Sequence, residues 1–493
     1  MRVGSWANPS HWPVKRESTS LPERQFVRGL LVVPDGTGVR SFVLGTFLSQ
    51  LGARMAVDAL HPIPDDLLQC IRSGSNGSVT WHRLRPYSGS RLSMLLRKSL
   101  AYAHMYWADT QSMRYNRRRP LGSSWRVRAA ERVGRRIGRM ASSRAGIGLL
   151  EAAHLRVAER LPEVKRHREF LRQIGPSVIV CTNQRSLDVL PLILASRSLG
   201  IPSAAFIFSW DNLTSKGRIA APFDNYLVWS EHMRQELRRY YPDIPSERVH
   251  IVGTPQFAPY ADVSLRLSRQ EFFARFGADP GRPLICFSGG DAGTCPEDPE
   301  HVRVLLDLVR SGRIQGRPQV LVRPTPVDDA RRYAKVVADF PELILAVPAW
   351  TRTSAEDWTR VIPLPADVEF LANLTRHADL NINVASTMTL DFALQDTPVV
   401  NIAFDVASVP PFGIPLWQYY YRFEHYRPVV DLGAARFARS PSELADQVNA
   451  YLANPQLDRE NRRRLVYLEV GAPLGEANRR IIDVLECIAR GAP

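Results

Sequence analysis

The feature that most constrains the fold of this chain is a repeated alternation of apolar, strand-like runs with amphipathic helices. In the first half the β-rich runs are "QFVRGLLVVP", "RMAVDAL", "PSVIVCT", "SAAFIFS" and "NYLVWS", and helical patterns such as "QRSLDVLPLILASRSLG" separate them. A second series follows "RVHIVGTP" and contains "RPLICFSGG", "PQVLVRPTP", "DLNINVAS" and "TPVVNIAFD". Strands and helices that alternate through short joints predict parallel, doubly wound α/β sheets.

The length of 493 residues is too great for one ordinary hydrophobic core. We predict two Rossmann-like domains, joined near Gly253–Tyr260, that face each other across an interdomain cleft. The predicted segments are a flexible extension over 1–24, a first domain over 25–252, a second domain over 253–470 and a C-terminal helix over 471–493. Ligands of open α/β sheets bind beyond the carboxyl ends of the strands, so the loops that follow the strands are the candidate site.

A basic helical insertion, at about 86–170, interrupts the first domain. The chain carries a net charge of +15, and between Arg83 and Arg144 there are 16 lysines and arginines against two acidic residues. Such a block indicates an anionic partner, although a solvated charged face is the commoner fate of a charge run. Nucleic-acid binding would suit the charge, but no recognition motif accompanies it. Because tyrosine and tryptophan residues lie close by, we favour an anionic membrane surface, contacted through the Arg126–Arg139 helix.

Polar residues follow a strand of the second domain in "NVASTMTLDFALQ". Ser386 and Thr387 stand where a helix begins, and hydroxyls with free backbone N–H groups at such a point suit a diphosphate. Asp391 lies one helical turn further, where a carboxylate can accept hydrogen bonds from sugar hydroxyls. The alternative interpretation, of similar weight, is ordinary N-capping by Ser386 or Thr387.

Two further strands of the second domain end in candidate donor-binding residues. Arg323, in "LVRPTP", places a guanidinium at the sheet edge, where it would suit phosphate oxygens; the alternative is a buried ion pair with a neighbouring acid. Gly289 and Gly290, in "CFSGGDAG", allow a ligand to approach the backbone closely. Three features of this kind in one domain indicate a ligand site more strongly than any one of them would alone.

The first domain offers two candidate catalytic bases. Asp35, in "VVPDGTGVR", follows a strand and precedes Arg40, and it either takes a proton from an acceptor hydroxyl or caps the helix. Asp211, in "SWDNLTSKGR", is the rival base, or a residue that hydrogen-bonds its own turn. The same loop supplies Trp210 as a stacking platform, with Asn212 and Lys216 as further cleft contacts.

The sequence gives no metal-ligand spacing among its acidic residues and histidines, so we expect no metal and no cofactor other than a donor substrate. The five cysteines are scattered and odd in number, which is typical of a reducing cytoplasm. We therefore expect a cytoplasmic protein, with the inner face of the plasma membrane as its peripheral location.

Six residues of the second domain carry a resemblance to a known family: Ser386, Thr387, Asp391, Ala393, Pro398 and Asp405. Their spacing resembles that of the CDP-glycerol glycerophosphotransferase-like members of the GT-B superfamily. "LVRPTP" is similar to the Arg-x-His-Pro turn of those enzymes, and "RVHIVGTP" is similar to their interdomain joint. "SWDNLTSKGR" looks like a loop of bacterial surface-carbohydrate transferases of the same superfamily.

The resemblance implies a GT-B fold in which the second domain binds a nucleotide-activated donor and the first binds the acceptor. Ser386 and Thr387 would hold the donor phosphates, and Arg323 would assist them. Thr325 stands where the glycerophosphotransferases have histidine, and "STM" stands where sugar-nucleotide epimerases of this fold have Ser-Gly-Gly. These departures count against both of those specific reactions.

The combined expectation is a metal-independent glycosyltransferase of polysaccharide biosynthesis at the bacterial cell envelope. It would move a sugar from a nucleotide-sugar to an acceptor hydroxyl of a surface glycan or lipid-linked precursor. Two alternatives stay open: a CDP-glycerol-type glycerophosphotransferase on the same fold, and a non-enzymatic, basic nucleic-acid-binding protein.

Overall fold

A computed structural model describes residues 27–72, 79–87, 89–118, 124–352, 361–406 and 415–491. The predicted extension over 1–24 lies outside the described residues. The first sheet has seven parallel strands in the order β3-β2-β1-β4-β5-β6-β7. Its strands are β1 (Arg28–Val32), β2 (Ala56–His61), β3 (Val79–Arg83), β4 (Val178–Cys181), β5 (Ser203–Phe206), β6 (Asn225–Val228) and β7 (Val249–Ile251). The order reverses between β1 and β4, as in a doubly wound fold.

Helices connect these strands, and five of them, α4 to α8, form the predicted insertion between β3 and β4. The helices are α1 (Gly36–Gly38), α2 (Phe47–Gly52), α3 (Asp65–Arg72), α4 (Arg91–Ala108), α5 (Gln111–Arg118), α6 (Trp125–Met140), α7 (Arg144–Glu159), α8 (Pro162–Ile174), α9 (Leu190–Ser198), α10 (Asn212–Ser215) and α11 (Glu231–Tyr240). The run "SFVLGTFLSQLG" is not one helix: a π-helical turn at Val39–Val43 precedes α2, because the chain leaves helical geometry around Gly45.

The second sheet has six parallel strands in the order β10-β9-β8-β13-β14-β15, and β11 and β12 form a separate antiparallel hairpin. The strands are β8 (Leu284–Ser288), β9 (Gln319–Arg323), β10 (Ile344–Leu345), β11 (Trp350–Arg352), β12 (Val361–Pro363), β13 (Leu380–Asn383), β14 (Val399–Ile402) and β15 (Arg436–Ala438). The inner strands of both sheets are almost entirely buried, which is why their sequences read as continuous apolar runs.

The helices of the second half are α12 (Ala258–Ala261), α13 (Arg269–Ala274), α14 (Asp298–Arg310), α15 (Ala334–Asp339), α16 (Pro365–His377), α17 (Met388–Leu394), α18 (Leu416–Tyr420), α19 (Arg427–Asp431), α20 (Pro441–Ala453), α21 (Arg459–Glu469) and α22 (Ala477–Ala489). Helix α22 returns to the first domain, where Asp483 and Glu486 form ion pairs with Arg54. The predicted two-sheet α/β architecture is confirmed.

Two further elements connect the two domains across the cleft. Helix α5 of the insertion meets the second domain, where Tyr115 packs against Tyr419 and Tyr420. Gly36 in the β1–α1 turn lies against the backbone of Val361, so closely that a Cβ at position 36 would overlap the carbonyl oxygen. Among the described helices, none is both long and apolar enough to cross a membrane.

Candidate functional site

A buried network of polar side chains fixes the conformation of the turn that follows β13. Asn383 Oδ1 accepts the backbone N–H of Ser386 at 2.9 Å, and Asn383 Nδ2 donates to Asn381 Oδ1 at 2.7 Å. Asn381 Nδ2 in turn donates to Ser288 Oγ at 2.7 Å, at the end of the neighbouring β8. Ala385, with φ of 47°, turns the chain sharply between strand and helix. The turn is therefore fixed by side chains that reach it from two strand ends.

The hydroxyls of this turn lie at the contact between the domains. Ser386 Oγ accepts the N–H of Met388, the first residue of α17, at 3.3 Å, whereas Thr387 occupies the N-cap position without a side-chain capping hydrogen bond. Thr387 Oγ1 accepts the indole N–H of Trp210 at 3.2 Å, across the cleft. Trp210 is 3% exposed and packs edge-on against the rings of His425 and Tyr426. The sequence-predicted stacking platform is thus buried between the domains in this conformation.

Asp391 links the second domain to the first. Its carboxylate accepts the phenol of Tyr260, and Oδ1 lies 3.7 Å from Nη2 of Arg40 in the first domain. Burial raises the pKa of Asp391 above its ordinary value, against the opposing effects of Arg40 and Tyr260. Two residues that the sequence assigned to opposite sides of the cleft, Arg40 and Asp391, therefore meet.

Arg323 is engaged in the ion pair that the sequence left open as the alternative. Its Nη2 lies 2.9–3.0 Å from both oxygens of Asp367, and both side chains are almost fully buried. Burial alone would raise the pKa of Asp367, but Arg323 and the indole of Trp350 outweigh it and lower that pKa. The guanidinium charge of Arg323 is consequently balanced inside the protein.

The Gly289–Gly290 turn is tied to its own domain. The Gly289 N–H donates to the carbonyl oxygen of Arg323 at 3.0 Å, and the Gly290 N–H donates to Asp298 Oδ2 at 2.7 Å. Asp298 is buried, and burial raises its pKa to about 7. These two backbone donors are therefore already satisfied by protein acceptors.

Asp35 is 2% exposed and stands at the N-cap of α1. Its Oδ1 accepts the N–H of Gly38 at 3.0 Å, and its Oδ2 accepts the amide of Asn183. Burial raises the pKa of Asp35, although these hydrogen bonds oppose the shift. A carboxyl group with a raised pKa is better suited to accept a proton near neutral pH than an ordinary aspartate.

The surroundings of Asp211 lower its pKa, whereas those of Asp35 raise its pKa. Lys216 Nζ lies 3.5 Å away, and the hydroxyls of Ser209 and Ser215 donate to the carboxylate at 2.6 and 2.8 Å. Burial would raise the pKa of Asp211, but Lys216 and the hydroxyls outweigh it and hold that pKa well below its usual range. Such a carboxylate stays ionised and is a weak proton acceptor.

Asn212 of the first domain and His425, which reaches the cleft from the second domain, complete the cluster around Asp211. Asn212 is buried, accepting the amide of Gln184 at 2.9 Å and donating to Asp211 at 2.9 Å. His425 Nδ1 lies 3.3 Å from the hydroxyl of Thr214, and burial lowers the pKa of His425 to about 4. The imidazole is therefore neutral at physiological pH.

The cleft is closed in this conformation. A cavity of only about 30 Å³ opens at the carboxyl edge of the second sheet among the described residues, between Asp298, His301, Phe404 and Trp417. Drug-sized ligands occupy pockets of roughly 300–1,000 Å³. A nucleotide is therefore too large for this cavity, whereas a cavity of about 770 Å³ lies at the first sheet, between residues that include Trp81, His82, Tyr87 and Asp188.

Sequence reasoning placed the strand-end residues at one cleft but missed their partners. Asn183 and Gln184 directly follow β4, so the polar run "TNQ" was an available signal. Asp367 and His425 had no such signal, because Asp367 lies in the first turn of α16 and His425 lies between α18 and α19, and both reach their partners through packing of elements distant in sequence.

Comparisons with known proteins were made at the level of sequence and of structure. No protein-family model matches the chain, and no curated protein sequence matches it significantly. Among solved structures, the UDP-GlcNAc 2-epimerase from Neisseria meningitidis bound to UDP-GlcNAc is similar, with a TM-score of 0.53 and 10% identity over 93% of this chain and 99% of that one. A glycosyltransferase from Rickettsia africae has a TM-score of 0.51 and 9% identity over 95% and 100%. The complex of MnaA with UDP from S. aureus has a TM-score of 0.51 and 9% identity over 94% and 97%.

These similarities extend over both domains and nearly the full length of each chain compared. At about one identical residue in ten they concern the backbone architecture. This chain combines two parallel sheets, an interdomain cleft and a C-terminal helix that returns to the first domain. The chain has the two-domain GT-B fold.

Proposed function

We propose that this protein is a GT-B-type glycosyltransferase, which moves a sugar from a nucleotide-sugar donor to an acceptor hydroxyl of a surface glycan or lipid-linked precursor. The observation that carries the proposal is the meeting of two strand-edge clusters at one cleft. Thr387 of the hydroxyl turn contacts Trp210, next to Asp211 and Lys216. The similar structures with UDP-GlcNAc and UDP make a uridine diphosphate sugar the first donor to test.

The second domain would hold the donor. Ser386 and Thr387 supply hydroxyls for the diphosphate, and in an opened cleft Lys216 and Arg40 supply positive charge. Arg323 acts through its ion pair with Asp367, by fixing the end of β9 next to the Gly289–Gly290 turn. This proposal uses no metal and no cofactor, because these cationic and hydroxyl groups offset the charge of the leaving nucleotide.

The first domain would hold the acceptor. Asp35 takes the proton of the acceptor hydroxyl as its oxygen attacks the anomeric carbon, and the nucleoside diphosphate departs. The pKa of Asp35 is raised and that of Asp211 is lowered, which favours Asp35 as the base. Asp211 orients Lys216 and Asn212 instead. Because Gly36 rests on Val361, opening of the cleft would uncover the Asp35 turn.

A thermal-shift screen tests the proposal. We expect a nucleotide-sugar to raise the melting temperature by several degrees, since a ligand at 100 times its Kd adds about 2.7 kcal/mol of stability. UDP-, GDP-, CMP- and CDP-linked donors are compared, each with an acceptor-free measurement of nucleotide release. The double variant Ser386→Ala, Thr387→Ala should lose the shift, whereas Ser311→Ala, at an exposed hydroxyl after α14, should keep it.

The outcomes separate the alternatives. CDP-glycerol as the only stabilising ligand would replace the proposal by a glycerophosphotransferase. Interconversion of UDP-GlcNAc with its 2-epimer, without an acceptor, would replace it by an epimerase. No shift with any nucleotide, together with salt-sensitive RNA binding, would indicate the nucleic-acid-binding protein instead.

A further inference from the structure

Helix α6 of the insertion packs against the protein with its small residues and exposes its large apolar side chains to solvent. The side that faces the protein carries Gly134 and Gly138, and Gly138 lies so close to α4 that a Cβ there would come within 2.6 Å of the Cβ of Tyr102. Arg135, on the same side, places its guanidinium over the ring of Tyr102 at 5.3 Å. The helix is therefore anchored through small residues and one cation–π contact rather than through its large apolar side chains.

Those large apolar side chains point away from the protein. Trp125 is 68% exposed, Val133 44% and Met140 89%. At 100° per residue, Val133, Ile137 and Met140 fall within an arc of about 60°. In a helix of a water-soluble domain this stripe normally faces the core. Leu92 and Met94 of α4 and Leu149 of α7 add exposed apolar surface on the neighbouring helices.

Basic residues flank the apolar stripe. Arg132, Arg136 and Arg139 lie on one side of it, and all three are exposed. Among the described residues, their side chains form no ion pair and no hydrogen bond. Unpaired arginines beside an outward apolar stripe are complementary to a surface with anionic groups above a hydrocarbon layer.

We propose that this face of α6, defined by Trp125, Val133, Met140 and the three flanking arginines, docks on an anionic lipid bilayer. The helix lies in the plane of the interface, with the apolar stripe among the upper acyl chains and the guanidiniums at the lipid phosphates. Because α6 is already folded against α4, docking carries no cost of helix formation. A nucleic acid would use the arginines but would gain nothing from exposed methionine and valine.

Co-sedimentation with vesicles tests this inference on the full chain. Vesicles of phosphatidylglycerol mixed with phosphatidylcholine are compared with vesicles of phosphatidylcholine alone. The charge variant is Arg132→Gln, Arg136→Gln, Arg139→Gln, and we expect its partition coefficient to fall on the order of 100-fold, at about 1 kcal/mol per guanidinium. The matched control neutralises three exposed arginines of the second domain, Arg376, Arg463 and Arg464, and should bind within about threefold of wild type, which is a change of less than 1 kcal/mol.

The apolar variant, Val133→Ser with Met140→Ser, keeps every charge. We expect binding to the mixed vesicles to fall about tenfold, because two side chains lose their transfer into the acyl region. Circular dichroism and melting temperature should stay at wild-type values in all variants, since each changed side chain is exposed. Nucleotide-sugar binding should also be unchanged, so a failure here is distinct from a failure of the proposed transferase activity.

Three results would overturn the proposal. One is an apolar variant that binds the vesicles as wild type does. Another is equal loss of binding in the charge variant and its second-domain control. The third is single-stranded RNA that displaces the protein from vesicles and binds the apolar variant undiminished, which would assign the surface to nucleic acid.

Discussion

Exchanging the side chains of Asp35 and Asn183 tests whether the carboxylate of Asp35 accepts a proton in the reaction or only caps a turn. In Asp35→Asn, the new amide oxygen can still accept the N–H of Gly38, and asparagine is as good an N-cap as aspartate. The new amide nitrogen, however, faces the amide of Asn183, so two donors oppose each other. In the double variant Asp35→Asn, Asn183→Asp, the carboxylate at 183 accepts both that amide and the N–H of Arg185, which now donates to Asn183 at 2.8 Å.

The expected sizes of the effects differ between the two roles. Loss of a general base costs about 10²- to 10⁴-fold in turnover. A lost buried hydrogen bond costs about 1–3 kcal/mol of folding stability. The single variant should therefore lose both some stability and at least about 100-fold in turnover. The double variant should recover the stability and leave turnover low, because its carboxylate is displaced from the Asp35 position.

Turnover is measured as release of nucleotide from the donor that the thermal-shift screen identifies, and stability by urea titration. The raised pKa of Asp35 also predicts the direction in which its contribution to folding stability changes with pH. A carboxyl group with a raised folded-state pKa contributes stability that is lost as the pH rises through that pKa. Relative to wild type, Asp35→Asn should gain stability as the pH rises above the ordinary aspartate value of about 3.9. A turnover loss smaller than about tenfold in the single variant would refute the assignment of Asp35 as the base.

Three further predictions concern the closed cleft and its surroundings. Trp210→Phe removes the hydrogen bond to Thr387, worth about 1 kcal/mol, and if donor entry requires that contact to open, the apparent donor Kd should fall about fivefold. Gly36→Ala places a methyl group against the carbonyl of Val361, so it should separate the domains and increase the radius of gyration in small-angle scattering. Asp298→Asn removes a carboxyl group whose pKa is raised to about 7 by burial, and the stability of wild type relative to this variant should fall by up to about 4 kcal/mol as the pH rises from about 4 to 7.

The first and third of these predictions have a contrary outcome, and the second has a matched control. A weaker donor affinity in Trp210→Phe would mean that the indole N–H binds the donor rather than closing the cleft. Gly45→Ala introduces the same methyl group where no atom lies within 4 Å, and it should leave the scattering curve unchanged. For Asp298, a pH-independent stability difference would show that the carboxyl is ionised throughout this range.

The sequence by itself determined the architecture, because strand and helix periodicities are local. The stretches "GLLV" and "VIVC" are apolar throughout, as strands buried on both faces must be, and they lie in β1 and β4. The positions of Asp35, Trp210 and Thr387 at strand ends followed from the same pattern. At 100° per residue, helical periodicity alone also puts Val133 and Met140 on one face of α6.

Only the tertiary structure decided which way that face points and which side chains meet. The apolar face of α6 turns outward because its glycines, rather than its large residues, fit against α4. Arg323 pairs with Asp367, and Trp210 meets Thr387, because strand order and domain docking bring these distant positions together. Side-chain partners of this kind depend on how distant elements pack together, and local sequence patterns do not determine that packing.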